Sequence, residues 1–259
     1  MKIVGKTDIG LVRETNQDAF KIVALGQSAG FALVCDGMGG VNGGDRASSI
    51  AKAEIAESIK ASFLEGMGEE EIRNVMLRAI DAANQKIYRT AREHPELAGM
   101  GTTVVLTIFY GGKAYVAHVG DSRLYRYQDG AFEQLTKDHS RVQDLVDRGM
   151  ITQEEARVHP EKNMITRAVG IGPDVNVDFL TVAFEPGDKF LLCSDGLCGY
   201  VEEQSLNEVL KDHPEPEELV VKYVDMALDE GGADNITVVA VRLGKDTDNK
   251  DISAERTVR

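Results

Sequence analysis

The chain has 259 residues, 42% of them hydrophobic and 28% charged, enough for one large domain or two small ones with a sizeable core. Asp and Glu number 43 against 29 Lys and Arg, a formal charge of −14, which repels nucleic-acid phosphates and anionic lipid and argues against DNA, RNA or membrane surfaces as partners. No apolar run approaches the roughly 20 residues of a membrane helix. The N-terminus lacks a signal-like apolar stretch, and three cysteines without a CxxC pair fit a reducing cytoplasm.

In chain order, the first strand-like run is 31–35, followed by Gly43-Gly44-Asp45 and a stripe of Ala51, Ile55, Ile59 and Phe63 at helical spacing. Asp45 is the expected cap of that helix. A second helix shows a fuller stripe from Ile72 to Ile87. Strand-like runs then cover 103–110, 114–119, 124–128 and 132–135, with later ones at 177–184, 190–193 and 236–241. Gly111-Gly112, Asp129-Gly130 and Pro186-Gly187-Asp188 read as hairpin turns between them. Residues 141–162 are charged, hold two short helical signals and read as a surface flap. Leu219 to Leu228 carries a third helical stripe, closed by Gly231-Gly232. The polar tail 244–259 reads as disordered. Hairpin-paired strands sharing a chain with long amphipathic helices predict an α+β fold, with two antiparallel sheets face to face and helices outside. An open sheet with helices on one face is the rival arrangement.

Four aspartates stand at ends of apolar strands: Asp36 after 31–35, Asp121 after 115–120, Asp195 after 190–194, and Asp234 before 236–241. One Asp beside a Gly or Asn is an ordinary turn. Four of them on one rim would repel one another, and a hard divalent cation relieves that repulsion most simply. Oxygen donors without a Cys/His cluster favour Mg²⁺ or Mn²⁺, and several acids suit two ions with a shared carboxylate and water, an arrangement for phosphoester hydrolysis. Gly37 offers a carbonyl that no side chain shields. Arg13 is a candidate phosphate ligand, because a guanidinium grips two phosphoryl oxygens at once.

These residues resemble the metal-dependent protein serine/threonine phosphatases (PPM, or type-2C protein phosphatases) in their compact bacterial form. The resemblance rests on eight motifs in order: Arg13-x-x-Asn16-Gln17-Asp18, Asp36-Gly37-Met38-Gly39-Gly40, Gly101-Thr102-Thr103, Gly120-Asp121-Ser122-Arg123, Thr136-x-Asp138-His139-Ser140, Asn163-x-x-Thr166-Arg167-Ala168-Val169-Gly170, Ser194-Asp195-Gly196-Leu197 and Asp234-Asn235-Ile236-Thr237. It implies a four-layer α-β-β-α sandwich over residues 1–243, with a flap at about 141–162. It implies Asp36, Asp195 and Asp234 as ligands of a Mn²⁺ or Mg²⁺ pair, with Asp36 bridging and the Gly37 carbonyl on one ion. Asp121 resembles the ligand of a third, weaker ion shared with Asp195, Arg13 the arginine that grips phosphate, and Asp18 an acid that holds metal-bound water. The implied reaction is direct attack of a metal-bridging hydroxide on phosphoserine and phosphothreonine. The implied setting is a cytoplasmic monomer acting on the targets of a cognate Ser/Thr kinase.

Two positions depart from the family pattern. Val41 stands where bacterial members usually have His, so that residue's proton-donating role does not carry over. Metal-bound water is the first candidate to protonate the leaving alkoxide, with His139 and His118 behind it. Gln17 replaces the usual Glu, with weakened metal affinity as the largest expected effect. The alternatives are a phosphoprotein-binding relative without metals, a hydrolase of small phosphorylated metabolites, and a sporulation- or stress-type regulator. Retention of all four aspartates weighs against the first, absence of GxxxxGK[ST] against a nucleotide site, and the lack of a sensor domain against the third.

Overall fold

The computed structural model describes residues 1–26, 28–40, 43–212 and 215–244. The chain begins with β1 (Lys2–Asp8), β2 (Asp18–Leu25) and β3 (Ala29–Met38), then α1 (Gly44–Ser62) and α2 (Glu69–Glu93). A short 3₁₀ turn at Pro95–Leu97 leads to β4 (Gly101–Thr102), β5 (Val104–Tyr110), β6 (Lys113–Val119), β7 (Arg123–Gln128) and β8 (Ala131–Gln134). Next come α3 (Arg141–Asp147) and α4 (Gln153–Val158), then β9 (Asp178–Ala183), β10 (Lys189–Cys193), α5 (Asp195–Cys198), α6 (Glu203–Asp212), α7 (Pro216–Asp229) and β11 (Ile236–Arg242). One sheet runs β1-β11-β10-β7-β8. The other runs β2-β3-β5-β6-β9, with β4 paired to β3. Every pairing is antiparallel.

Side-chain alternation explains the layers. In β3, Phe31, Leu33 and Cys35 pack under α1 and α2, while Ala32 and Val34 face the other sheet. In β11, Ile236, Val238 and Ala240 pack under α5–α7, while Val239 and Val241 point between the sheets. Both faces of such strands are dry, so they read as continuous apolar runs without polar alternation. The result is the four-layer α-β-β-α sandwich, and the open-sheet rival is excluded. Cys35, Cys193 and Cys198 are buried free thiols.

Two expected hairpins form. Gly111-Gly112 joins β5 to β6 and Asp129-Gly130 joins β7 to β8, all four residues at positive φ as a two-residue hairpin loop demands. The third does not: β9 pairs with β6 and β10 with β11 and β7, so the 186–188 turn carries the chain from one sheet to the other. Asp45 does not cap α1 either. The cap position is Gly43, and Asp45 sits inside the first turn, its Oδ1 accepting from Arg46 N at 2.7 Å. β1 escaped the sequence reading because Gly5 and two lysines interrupt its apolar residues. Gly5 is needed there because a Cβ would lie 2.4 Å from the Phe20 ring of β2.

The flap helices are α3 and α4. Ser140 caps α3 and a Thr152–Glu155 capping box starts α4. Backbone bonds Arg141 N→Met164 O and Thr166 N→His139 O, both 2.8 Å, close the base of this segment. Its far side rests on the body through Arg157 Nη2→Val201 O at 3.3 Å and Lys162 over the Tyr200 ring at 4.8 Å. The anticipated tail beyond Gly244 lies outside the described residues.

Candidate metal centre

The acids anticipated from sequence meet at one rim of the sandwich. Asp18 opens β2 and sits directly across the ladder from Asp36, which lies inside β3, two residues from its end. Asp121 occupies the link by which β6 of one sheet passes to β7 of the other. Asp195 is the first residue of α5, immediately after β10, and Asp234 precedes β11 by two residues. Asp36, Asp121, Asp195 and Asp234 line one cleft of about 480 Å³ with Arg13 and Gly37. Asp18 lies beneath it, 9% exposed.

Short polar contacts hold each acid in place. Asp36 N donates to Thr103 Oγ1 at 2.9 Å, and Asp36 O accepts from Thr102 Oγ1 and Thr103 N, both at 2.8 Å. Thr103 in turn shares a 2.7 Å hydroxyl bond with Ser122, beside Asp121. Ser194 Oγ donates to Asp18 Oδ2 at 2.7 Å and accepts from Thr237 N at 3.0 Å. Asn235 ties down the loop that carries Arg13: its Nδ2 reaches Ile9 O (2.9 Å) and Thr15 O (3.0 Å), and its Oδ1 takes Gln17 N (2.8 Å). Arg13 Nη2 pairs with Asp234 Oδ2 at 2.7 Å. The sequence reading quoted Thr102, Thr103, Ser194 and Asn235 within motifs and assigned them no role. Ser194 and Asn235 carry a signal, each being a polar residue next to an acid at a strand end; Thr102 and Thr103 adjoin no acid in sequence and carry none.

Glycines let these pieces approach. A Cβ on Gly37 would lie 2.0 Å from Gly44 O, so the start of α1 abuts the backbone after Asp36. A Cβ on Gly196 would lie 2.0 Å from Asn235 O, so the Asp195 turn closes onto the Asp234 turn only through glycine.

Burial pushes the Asp18 carboxyl up to about 8, opposed by the Ser194 hydroxyl. Burial also raises Asp36, reinforced by Asp18, Asp195 and Asp121, and raises Asp121 and Asp195, each reinforced by a neighbouring acid. Upward shifts shared by neighbouring acids report missing positive charge, the condition that a hard cation relieves. Among the described residues no three His, Cys, Asp or Glu side chains close into a ready-made cage. An open set suits Mg²⁺ or Mn²⁺, which keep several waters and take only one or two carboxylates each. Asp18 Oδ1, buried and without a hydrogen bond among the described residues, points to the same missing charge. The residues present fit divalent cations.

His118 and His139 do not line the cleft. Their ring centroids lie 4.7 Å apart with the planes tilted by 30°, His118 Nε2 lies 3.0 Å from Ser122 O, and burial pushes His118 down to about 3. They are engaged in structure rather than poised as acids. Val41 lies outside the described residues.

An antiparallel double-sheet sandwich with acids converging on one rim, and an arginine at its mouth, defines a phosphohydrolase dependent on divalent cations. The Protein phosphatase 2C family model matches residues 12–236, and the chain belongs to that family, the metal-dependent protein serine/threonine phosphatases. It is 36% identical over 248 residues to the serine/threonine phosphatase stp of Listeria monocytogenes, covering 96% of this chain and 98% of that one. The structure of the Streptococcus agalactiae serine/threonine phosphatase superposes with a TM-score of 0.87 at 33% identity, over 93% of this chain and 99% of the other. The catalytic domain of the serine/threonine protein phosphatase PstP, solved in complex with two manganese ions, superposes at 0.82 with 34% identity, over 94% and 98%.

Proposed function

We propose that this chain removes phosphate from phosphoserine and phosphothreonine in proteins, with Asp36, Asp195 and Asp234 holding a Mn²⁺ or Mg²⁺ pair. In this reading the Gly37 carbonyl would join these acids in holding the pair, and Asp121 with Asp195 would hold a third, weaker ion. The observation that carries it is the convergence of Asp36, Asp121, Asp195 and Asp234 on one cleft that Arg13 overlooks. When bound, the cations supply the nucleophile by acidifying water and neutralise charge on the phosphoryl oxygens.

The chain's own residues do the positioning. Arg13 must release Asp234 Oδ2 for ligation, and its planar fork is then free to grip two phosphoryl oxygens. Asn235 fixes the loop from which Arg13 reaches. Asp18, held by Ser194, orients water at the floor of the cleft. In this reading water attacks phosphorus directly and the departing alkoxide takes its proton from water; the described residues lining the cleft include no His and no Cys.

Residues 1–243 act as one catalytic domain, with 141–162 as a flap beside the cleft. No helix among the described residues is long and apolar enough to cross a membrane. A cytoplasmic monomer that reverses the work of a cognate Ser/Thr kinase fits the acidic surface and the reduced thiols. The test is phosphate release from a phosphothreonine peptide. Chelation is expected to abolish it, Mn²⁺ or Mg²⁺ to restore it, and Asp36→Ala or Asp195→Ala to lower it by orders of magnitude even at saturating metal. Full activity after chelation overturns the reading.

A further inference from the structure

His139 is joined to the site without entering it. Its Nδ1 accepts from Gly120 N at 2.9 Å, while its own backbone N donates to Gly120 O at 2.8 Å. Both polar groups of the residue before Asp121 are thus taken by one neighbour. Because Nδ1 is an acceptor, the proton of the neutral ring sits on Nε2, which donates to Asp178 Oδ2 at 3.1 Å. Asp178 is held from the far side by Arg167 Nη1 at 2.6 Å.

Gly120 has little freedom of its own. It stands at φ +110°, and a Cβ there would lie 2.5 Å from Thr103, the residue that braces Asp36. His139 also forms the base of the flap, its carbonyl accepting from Thr166 N, with Ser140 bridged to Ile165 next to it. One residue therefore fixes the Asp121 turn from one side and the flap's base from the other.

We propose that His139 is a positioning residue that aims Asp121 toward its cation and couples that aim to the base of the flap. The proposal rests on Asp121 being a metal ligand. An imidazole suits the task because its two nitrogens lie on opposite edges of a rigid ring, one accepting from Gly120 and the other donating to Asp178.

The two half-replacements separate these bonds. An Asn side chain places an oxygen near Nδ1 and preserves the acceptor for Gly120; a Gln side chain places a nitrogen near Nε2 and preserves the donor to Asp178. Amide exchange at Gly120, read by NMR in chelated protein, is expected to be slow in the parent and in His139→Asn, and at least about tenfold faster in His139→Gln. Mn²⁺ titrations by calorimetry and by phosphopeptide hydrolysis are expected to show the weak-site requirement rising by about tenfold in His139→Gln and staying within about threefold in His139→Asn, the range by which partners of metal ligands tune affinity. Asp178→Ala, at a half-exposed side chain, removes the acceptor that holds the ring from its Nε2 edge and is expected to speed Gly120 exchange in the same direction, so the proposal remains testable should His139→Gln fail to fold. Equal exchange at Gly120 in all variants, or equal impairment by Asn and Gln, overturns it. Asp121→Asn is the control for the underlying reading. If it leaves the weak-site requirement unchanged, the ligand assignment fails, whatever the Gly120 exchange shows.

Discussion

Replacing Asp18 by Asn tests whether the buried acids are held against their preference. Asp18 is held up at about 8 by burial, against 3.8 for a free aspartate. Between those values the metal-free native state keeps a proton that the unfolded chain has released, so native stability falls as pH rises, by about 1.4 kcal/mol per unit. At pH 7 the accumulated loss is about 4 kcal/mol by the same linkage. Asn is nearly isosteric, retains an acceptor for the Ser194 hydroxyl, and titrates nowhere in this range. Against it stands an amide nitrogen at the place of the unpartnered Oδ1, a buried donor costing about 1–3 kcal/mol. The net expectation at pH 7 is that Asp18→Asn stabilises the metal-free protein by about 1–3 kcal/mol. Urea unfolding in chelator at pH 5, 6, 7 and 8 measures it. The gap between variant and parent is expected to widen across pH 5–7 by about 1.4 kcal/mol per unit, flattening only near pH 8. Saturating Mn²⁺ is expected to erase or invert the gap, and Asp18→Asn to lose activity. A gap that does not vary with pH, or a less stable variant throughout, refutes the reasoning.

Other outcomes follow from single contacts. Arg13→Ala is expected to raise KM for a phosphopeptide more than it lowers kcat, and Arg13→Lys to rescue little, since an ammonium cannot take two phosphoryl oxygens; steady-state kinetics at saturating Mn²⁺ distinguishes these. Gly196→Ala puts a methyl group 2.0 Å from Asn235 O, so the turns bearing Asp195 and Asp234 must part. A stability loss of about 2 kcal/mol or more in chemical denaturation, with weakened metal binding, is expected. His118 is pushed down to about 3 from 6.5 by burial and by the adjacent His139. The unfolded chain therefore takes a proton below pH 6.5 that the native state refuses until far lower, and at pH 5 the native state has lost about 2 kcal/mol by this route. The pH 7-to-5 stability difference is expected to shrink by that amount in His118→Gln.

Much of the site was legible because its acids carry local signatures. Asp36, Asp121, Asp195 and Asp234 each adjoin an apolar strand and a glycine or asparagine, and the structure brings all four to one cleft. Hairpin-type turns together with long amphipathic helices likewise pointed to two antiparallel sheets with outer helices, beside an open-sheet rival. What proximity in sequence cannot encode is which sheet a strand joins. The 186–188 turn has hairpin chemistry and yet links different sheets, because β10 finds its partners in β7 and β11 while β9 completes the edge beside β6. A residue pattern with period two reports that a strand has two faces, and both faces of these strands are buried, so the pattern leaves the partner undetermined.

The brace residues were hidden for a related reason. Thr103 reads as one more β-branched residue of a strand, and Asn235 as a turn former. Only packing places Thr103 Oγ1 at the Asp36 amide and Asn235 between residues 9 and 17. His139 stands behind metal-bound water as a proton donor in the sequence because Val41 replaces the family histidine; the fold turns both of its nitrogens toward Gly120 and Asp178. By itself, the amino-acid order determined which side chains are chemically equipped for phosphate and cations. Tertiary structure alone decided which of them meet, how deeply they are buried and hence how they hold their protons, since burial and charge proximity are properties of space and not of spacing along the chain.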